Sequence, residues 1–298
     1  MDLSVIIVNY NTRELLKGTI QSVIANTFEI KYEIIVIDNA SSDGSVEMIR
    51  NDFIDVKLYR NETNLGFPKA NNLGIKQSIG RYMLLLNSDT EVIGNCLQKC
   101  INYMDNHADI GVIGPKLILG NGKLDHACKR GFPTPEASLW YMLKIHKLFP
   151  INKRFGKYKM SHLPDDEINE VDSLTGAFML LRREVIDEVG LLDEQFFMYG
   201  EDLDWCFRIK EAGWKVVYYP EAVTIHYKGG SSKKKRYKTI YEFHRAMYLF
   251  YNKHYLKKYN FIITFFVYLG IGCRLIMALI INLFKSVSQF NFQKEKKL

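Results

Sequence analysis

Three carboxylates lie within four residues of the segment Tyr199-Gly200-Glu201-Asp202-Leu203-Asp204-Trp205-Cys206. Carboxylates this close repel one another and are costly to remove from water. One interpretation is the acidic first turn of a helix, where the helix dipole favours negative charge. The other is a catalytic carboxylate, because active sites collect carboxyl groups with perturbed pKa values. The segment alone leaves both interpretations open.

Two more carboxylates directly follow predicted buried strands, Asp38 after residues 32–37 and Asp89 after residues 82–86. Asp89 is a candidate ligand for Mg²⁺ or Mn²⁺, since a hard cation on a diphosphate needs one or two carboxylates besides waters and phosphate oxygens. Its alternative role is to cap a helix beginning near Ile93. Asp38 is a candidate contact for a nucleoside, and its alternative role is to close an Asx turn.

His226 ends a strand-like run just before Gly229-Gly230. A single histidine in such a position is often structural. Its place beside a basic, glycine-containing loop also suits a phosphate or metal contact, since neutral imidazole is a common metal ligand.

The elements that must position these residues alternate between strand and helix. A helical pattern follows each predicted strand, and the strands cover residues 3–8, 32–37, 56–59 and 82–86. Four such alternations predict a parallel, doubly wound α/β sheet with right-handed crossovers. Ligands bind such sheets beyond the carboxyl ends of the strands, which here carry Asn9, Asp38 and Asp89.

The glycine loops that usually bind phosphates are absent from the sequence. No Gly-x-Gly-x-x-Gly follows the first strand, and no Gly-Lys-Ser or Gly-Lys-Thr occurs. A nucleotide would therefore be bound by side chains and a metal ion. The small residues Thr175-Gly176-Ala177 lie in an apolar run and let a ligand approach the backbone. Residues 129–166 form either a partly mobile loop over the site or an ordinary surface excursion.

The net charge of +7 is unevenly distributed over the 298 residues. Residues 228–298 hold fifteen Lys or Arg and two Glu, a charge of +13 that leaves −6 for residues 1–227. A basic tail indicates nucleic acid or an anionic membrane surface as partner. The aromatic residues of this tail lie in an apolar run rather than among the lysines, which favours the membrane and excludes nucleic acid.

The apolar run Phe261–Phe284 is 24 residues long, enough to cross a bilayer. Arg274 near its middle costs roughly 2.5–3.5 kcal/mol on insertion scales, and both flanks are basic. These features predict a re-entrant or in-plane helical hairpin broken near Gly270-Ile271-Gly272. A simple span and a helix packed on the soluble domain are the alternatives.

Six motifs occur in order within residues 1–250. They are Val5-Ile6-Ile7-Val8-Asn9-Tyr10-Asn11, Val36-Ile37-Asp38-Asn39-Ala40-Ser41-Ser42-Asp43-Gly44-Ser45, Asn64-Leu65-Gly66-Phe67 with Asn71 and Gly74, Leu86-Asn87-Ser88-Asp89, Thr175-Gly176-Ala177-Phe178, and Phe197-Met198-Tyr199-Gly200-Glu201-Asp202. Through them the chain resembles the family 2 glycosyltransferases of the GT-A fold, in the branch that contains bacterial rhamnosyltransferases of cell-surface polysaccharides. The resemblance implies a GT-A domain over residues 1–250, with a mostly parallel doubly wound sheet, and a C-terminal membrane-association segment over residues 251–298.

The resemblance also implies roles for individual residues. Asp202 would be the general base with Glu201 beside it, and Asp89 the metal-binding carboxylate of the family's Asp-x-Asp motif, with His226 as a further metal or diphosphate contact. The motifs imply donor-binding roles for Asn9, Asn11, Asp38, Asn64, Gly66, Asn71, Asn87, Ser88 and Gly176. The first Asp of Asp-x-Asp is Asn87 here, which leaves one carboxylate and predicts modest affinity for Mg²⁺ or Mn²⁺.

The implied reaction is an inverting transfer of a sugar from a nucleotide-sugar donor, dTDP-rhamnose or a UDP-sugar, to a hydroxyl of a lipid-linked cell-surface glycan. Nucleotide sugars are cytosolic, so the expected location is the cytoplasmic face of the bacterial cell membrane, peripheral or monotopic. The alternative is a non-catalytic scaffold that binds nucleotides or glycans on the same fold. The intact carboxylates Asp38, Asp89, Glu201 and Asp202 argue against that alternative.

Overall fold

The computed structural model describes residues 1–228 and 236–295, with side chains omitted for residues 236 and 285–295. The loop at Gly229-Gly230 and the lysines at 233–235 and 296–297 lie outside the described residues. The chain forms two compact units, residues 1–197 with 201–231 and residues 198–200 with 232–298. The division at residue 250 expected from the sequence stays a prediction.

The first unit contains nine strands and eight α-helices among its described residues. The strands are β1 (Leu3–Asn9), β2 (Tyr32–Asp38), β3 (Lys57–Arg60), β4 (Tyr82–Asn87), β5 (Thr90–Val92), β6 (Ile110–Leu119), β7 (Asn169–Glu170), β8 (Phe178–Arg182) and β9 (Lys215–His226). The helices are α1 (Arg13–Ala25), α2 (Ser45–Asp52), α3 (Phe67–Gln77), α4 (Cys96–Asp105), α5 (Pro135–Met142), α6 (Ile145–Leu148), α7 (Arg183–Val189) and α8 (Glu201–Glu211).

The strands form one mixed sheet in the order β3-β2-β1-β4-β8-β6-β9-β5, and β7 pairs with β9. The predicted parallel part is confirmed, because β1 is parallel to β2 and β4, and β2 is parallel to β3. Beyond β4 the sheet turns antiparallel at β8 and then parallel again between β6 and β9. The parallel strands bring Asn9, Asp38 and Asn87 to one edge of the sheet, as parallel strands with a common direction must.

The core follows from the apolar strand sequences. β1, β2 and β4 are almost continuously buried, as expected for parallel strands covered on both faces. Helix α3 packs closely on β1 at Gly74, where a Cβ atom would collide with the side chain of Ile6. The sheet and its helices are therefore a rigid support for the loops at the carboxyl edge.

Residues 129–166 contain helical structure that the sequence analysis did not predict. They hold α5, α6 and a 3₁₀ turn at Lys157–Lys159. Arg130 at the start of this segment forms an antiparallel bridge with Ser173, through two backbone hydrogen bonds of 2.9 Å. The segment is thus attached to the chain that leads into β8.

The second unit consists, in its described part, of the helices α9 (Arg236–His254) and α10 (Phe261–Glu295) and residues 198–200. The two helices are antiparallel neighbours. The Tyr251 hydroxyl lies 2.9 Å from Thr264 Oγ1, and the Arg274 guanidinium lies 5.5 Å from the ring centre of Phe243. Arg274 therefore faces an aromatic ring of α9.

The predicted break near Gly270-Ile271-Gly272 is wrong, since α10 is one continuous helix. Two glycines cost a helix only about 1 kcal/mol each relative to alanine, and no proline interrupts the segment. Among the described residues, Phe261–Phe284 is long and apolar enough to cross a membrane by length and composition, and only 6% of its most apolar window is buried. Most of this apolar surface is exposed in the structure.

Candidate active site

A buried polar network joins the carboxyl ends of β1, β2 and β4. Asn9 Nδ2 donates to Ser41 Oγ at 3.0 Å, and Asn9 Oδ1 accepts from Thr12 Oγ1 at 2.7 Å. The Thr12 hydroxyl also lies 2.8 Å from Ser88 Oγ. The structure therefore links Asn9 and Ser88, both predicted to bind the donor, through Thr12, and Ser41 belongs to the same network.

Asp38 is buried at the same edge, and its carboxylate closes a turn. The backbone N–H of Ser41 donates to both carboxylate oxygens, at 2.9 and 3.2 Å. Asn11 Oδ1 accepts from Ser42 N at 2.8 Å, a bond that joins the segment after β1 to the segment after β2. The Asp38 bonds are the turn alternative considered above, and the nucleoside contact of Asp38 stays a prediction.

Asn64, Gly66 and Asn71 form a separate group at the start of α3. Asn64 Oδ1 accepts from Gly66 N at 2.9 Å, and Asn71 Nδ2 donates to Phe67 O at 2.9 Å. Gly66 has φ +86°, and a Cβ atom there would lie 2.5 Å from Phe197 O, so only glycine fits. Each of the three has a structural task here, and their donor contacts remain predictions.

Asp89 and His226 meet because β5 pairs antiparallel with the end of β9. Thr90 lies opposite His226 in this pair, which puts the preceding Asp89 beside the imidazole. Asp89 Oδ1 is 3.3 Å from His226 Nε2, and Asp125 Oδ2 is 2.9 Å from His226 Nδ1. Both carboxylates and the imidazole are buried. His226 is therefore held between two carboxylates.

Charge in this cluster is balanced by mutual contacts. Burial would lower the pKa of His226, but hydrogen bonds to Asp125 and Asp89 outweigh burial and raise this pKa to about 9. Burial would raise the pKa of Asp125, but His226 and Lys228, whose Nζ is 3.1 Å away, hold it well below its usual range. The imidazolium with its two carboxylates is the stable form of the cluster when no cation is bound.

The Asp89–His226 pair fits a divalent cation. Neighbouring ligands of an octahedral ion with bonds of about 2.1 Å lie about 3 Å apart, close to the 3.3 Å between Asp89 Oδ1 and His226 Nε2. Within residues 1–228 and 236–295, no group of three or more His, Cys, Asp or Glu side chains is arranged to hold a metal. Asp89 and His226 would be the two ligands from this part of the chain, which would leave most positions to water and a diphosphate, as Mg²⁺ commonly requires.

Asp125 orients the imidazole for this task, because a carboxylate on one ring nitrogen fixes the other nitrogen toward the ion. We expect Asp125→Asn to weaken metal-dependent nucleotide binding by about 10–100-fold, as loss of such outer carboxylates commonly does. Titration of Mn²⁺ into the protein with nucleoside diphosphate, followed by calorimetry, measures this effect. Lys123→Ala, an exposed neighbour, is the control and should bind as the wild type does.

Asp202 lies at the N-terminus of α8, and its carboxylate is fully engaged. Asp202 Oδ2 accepts from Arg130 Nη2 at 2.7 Å and from Gly176 N at 3.2 Å, while Oδ1 accepts from Leu203 N at 2.8 Å. Arg130 Nη2 also donates to Leu174 O at 2.5 Å. The acidic helix start is therefore real, and it coexists with a carboxylate held in one orientation.

Gly176 links Asp202 to the Asp89 segment. The next residue, Ala177, accepts through its carbonyl oxygen from Asn87 N at 3.0 Å. Gly176 is confined by Phe67, whose Cε1 would lie 3.1 Å from an added Cβ. The candidate base and the candidate metal ligand thus lie at one edge of the sheet, joined through β4 and the chain that leads into β8.

Glu201 is buried next to Asp202, and its Oε2 has no hydrogen-bond partner among the residues that the structure describes. Burial and the neighbouring charge of Asp202 raise the pKa of Glu201 to about 8. The carboxyl group is therefore protonated at neutral pH, so that the pair carries one negative charge. That charge belongs to Asp202, which is paired with Arg130.

We expect Glu201→Gln to stabilise the fold increasingly as the pH rises. Below a pH of about 4.5 Glu201 is protonated in both the folded and unfolded states. Above this pH Glu201 ionises in the unfolded state only, which stabilises the unfolded state relative to the folded one. The wild-type free energy of unfolding therefore falls until the pH passes the folded pKa of about 8, by roughly 5 kcal/mol. Urea unfolding of both proteins at several pH values measures the difference, and parallel curves would contradict the buried protonated carboxyl.

Asp204, the third carboxylate of the cluster, is structural. It is fully buried and pairs with Arg208 Nε at 3.0 Å. Arg208 in turn donates to the carbonyl oxygens of Val189 and Leu191, at 2.6 and 2.8 Å. This carboxylate anchors α8 to the chain before it.

Sequence reasoning missed two residues of the site, Asp125 and Arg130. The only signal for Asp125 was the Asn121-Gly122 turn, which returns the chain after β6 with Gly122 at φ +79° and places Asp125 next to β9. Arg130 carried no local signal, because its partner Asp202 is 72 residues away.

Comparisons with known proteins show the family of the chain. The model of the family "Glycosyl transferase family 2" matches residues 4–190, and the chain belongs to this family. Structural neighbours confirm the predicted GT-A fold. The crystal structure of GalNAc-T7 with UDP, GalNAc and Mn²⁺ has a TM-score of 0.58 and 21% identity, over 76% of this chain and 44% of that chain.

A second neighbour is S. aureus TarS 1–349 in complex with UDP-GlcNAc, with a TM-score of 0.56 and 18% identity over 84% of this chain and 65% of that chain. Within the family the chain is similar to bacterial rhamnosyltransferases, as predicted. The Mycobacterium tuberculosis N-acetylglucosaminyl-diphospho-decaprenol L-rhamnosyltransferase is 25% identical over 259 residues, 83% of each chain. The low-salt glycan biosynthesis hexosyltransferase Agl10 of Haloferax volcanii is 26% identical, over 70% of this chain and 62% of that protein.

Proposed function

We propose that this glycosyltransferase is inverting and metal-assisted, and that it moves a sugar from a nucleotide-sugar donor to a hydroxyl of a lipid-linked cell-envelope glycan. The donor is dTDP-rhamnose or a UDP-sugar. The observation that carries the proposal is the meeting of Asp202 and the Asp89–His226 pair at one sheet edge. The names of the relatives, a rhamnosyltransferase of a diphospho-decaprenol acceptor among them, support the donor and acceptor classes.

Asp202 serves as the general base in this proposal. The attacking hydroxyl must lose its proton as the new bond forms, and a positioned carboxylate that accepts it contributes about 10²–10⁴-fold. Arg130, Gly176 N and Leu203 N hold the carboxylate in place. Glu201, protonated beside it, leaves a single negative charge at this point.

Asp89 and His226 hold Mg²⁺ or Mn²⁺ in this proposal, with Asp125 fixing the imidazole. Such an ion supplies electrostatic stabilisation of the charge that develops on the leaving diphosphate. Asn9, Asn11, Asp38, Asn64, Gly66, Asn71, Asn87 and Ser88 bind the donor around it. These donor-binding residues come from the ends of β1, β2 and β4 and from the start of α3.

The test of this function is a panel of nucleotide sugars offered to the purified protein with Mn²⁺. Slow hydrolysis or saturable binding of one of them, lost in EDTA, is the expected result. A protein that binds nucleotide sugars but neither hydrolyses nor transfers any of them would be a scaffold, which is the alternative function. Saturating the assay with short-chain lipid-linked glycans then identifies the acceptor.

The helix α10 attaches the enzyme to the cytoplasmic leaflet in this proposal, where an anionic surface attracts the basic tail. We expect deletion of residues 258–298 to move the protein from the membrane fraction to the soluble fraction while slow donor hydrolysis persists. Cell fractionation with immunodetection measures this change. A deletion variant that stays with the membranes would show that another part of the chain is the anchor.

A further inference from the structure

A basic cavity of about 570 Å³ lies in the first unit, next to the segment that carries Arg130. Four basic side chains and two carboxylates dominate its lining, and they are Lys153, Arg154, Lys157, His162, Glu136 and Asp172. None of these residues belongs to the six family motifs or to the candidate active site. The cavity therefore needs an explanation of its own.

Both carboxylates of the cavity are already engaged. Glu136 Oε1 accepts from Arg154 Nε, and Asp172 Oδ1 lies 3.3 Å from Lys210 Nζ. Lys153 and Lys157 are exposed and form no ion pair within the described part of the chain. The cavity thus has an excess of positive charge. Burial and then the charge of Lys153 lower the pKa of His162, which agrees with a positive local field.

The cavity adjoins the candidate base through one short ladder. Arg130, whose side chain contacts Asp202, bridges Ser173, and the adjacent Asp172 lines the cavity. Across the ladder Phe132 N donates to Asp172 Oδ2 at 3.1 Å. The carbonyl oxygen of Leu174 accepts from Arg130. Asp172 lies two residues before Leu174, which is about 7 Å of extended chain.

The lysine-bearing turn is fixed to the same ladder. Gly131 N donates to Tyr158 O at 2.9 Å, and a Cβ atom at Gly131 would collide with the carbonyl oxygen of Lys157. Glycine is therefore required at this close approach. The backbone that carries Lys157 keeps a set position relative to Arg130.

We propose that this cavity binds the diphosphate through which the acceptor glycan is joined to its lipid carrier, with Lys153 and Lys157 as the charged contacts. This inference rests on the proposed function, in which the acceptor is lipid-linked. Lysine ammonium groups suit such a ligand because they act as compact positive charges toward phosphate oxygens. An acceptor held by its diphosphate here and by its hydroxyl at Asp202 is oriented at two points, which favours productive encounters.

The test uses farnesyl diphosphate as the probe and the full chain in neutral detergent with EDTA. We expect the double variant Lys153→Ala/Lys157→Ala to raise its Kd about tenfold. Farnesol, which lacks the phosphates, should bind wild type and variant equally. The matched control Lys31→Ala/Lys76→Ala removes two exposed lysines elsewhere and should keep the wild-type Kd.

Three outcomes would overturn the inference. The first is that the wild type does not bind farnesyl diphosphate, and the second is that wild type and double variant bind it with equal Kd values. The third is that the double variant loses as much affinity for phosphatidylglycerol vesicles as for farnesyl diphosphate, which would make the cavity a site for membrane headgroups. Donor hydrolysis by the same proteins separates this inference from the proposed function. If the proteins hydrolyse the donor but the lysine substitutions leave the Kd of farnesyl diphosphate unchanged, only the inference about the cavity is contradicted. If the substitutions raise this Kd but no donor is hydrolysed, only the proposed function is contradicted.

Discussion

Asp202→Asn is expected to lower the rate of sugar transfer by about 10²–10⁴-fold while nucleotide binding survives. Asparagine keeps the shape of the side chain but only one oxygen, which can accept from either Gly176 N or Leu203 N, since these two donors bond to different oxygens of Asp202. It cannot accept the proton of the acceptor hydroxyl. In the proposed function the donor is bound around the Asp89–His226 pair and the ends of β1, β2 and β4, so its affinity should change little. Transfer rates and nucleotide Kd values on the same preparation measure both quantities.

The control for this variant must separate lost chemistry from lost structure. Asp202→Asn leaves Arg130 buried without its ion pair, and breaking such a pair costs about 3–5 kcal/mol in other proteins. A thermal melt and the retained nucleotide Kd show whether the fold survives. Asp187→Asn makes the same chemical change at an exposed position of α7 and should leave transfer intact. Near-normal turnover in a folded Asp202→Asn protein would remove Asp202 from the role of base.

The site residues that could be predicted from the sequence are those that lie at the ends of predicted strands. Asn9, Asp38 and Asp89 directly follow buried strands or end them, and parallel pairing of β1, β2 and β4 brings strand ends together without any further information. The position of His226 beside Asp89 needed the antiparallel pair of β5 and β9, which sequence periodicity does not specify. The side chain of His226 contacts Asp125 and Asp89, which are 101 and 137 residues away from it in the sequence.

The acidic segment shows the same limit. The sequence left a helical start and a catalytic carboxylate open as alternatives, and it could not show how the partners of the three carboxylates differ. Asp202 pairs with Arg130, 72 residues away, and Asp204 pairs with Arg208, one helical turn later. Within the described residues the Oε2 of Glu201 has no hydrogen-bond partner. The break expected in α10 failed for another reason, since the low helix propensity of two glycines is too weak a local signal to end a helix of apolar residues.

Asp89→Ala is expected to abolish the metal-dependent part of nucleotide binding. With Mn²⁺ present, the affinity for a nucleoside diphosphate should fall about 100-fold, equal to about 2.7 kcal/mol, because Asp89 is the charged member of the two ligands proposed among the described residues. The backbone should keep its conformation, because Tyr227 N donates to the carbonyl oxygen of Asp89 at 2.8 Å and alanine keeps this bond.

The informative experiment for Asp89→Ala compares the nucleotide affinity of wild type and variant, each with and without Mn²⁺. In EDTA, the variant should bind the nucleotide as weakly as the wild type or slightly more tightly, since the side chain then acts on the diphosphate only by repulsion. Addition of Mn²⁺ should tighten binding to the wild type alone, and Asp187→Asn should behave as the wild type does. Equal tightening in wild type and Asp89→Ala would place the ion elsewhere. Loss of affinity in EDTA as well would show that Asp89 supports the pocket through structure, because removing a carboxylate cannot otherwise weaken contact with an anion.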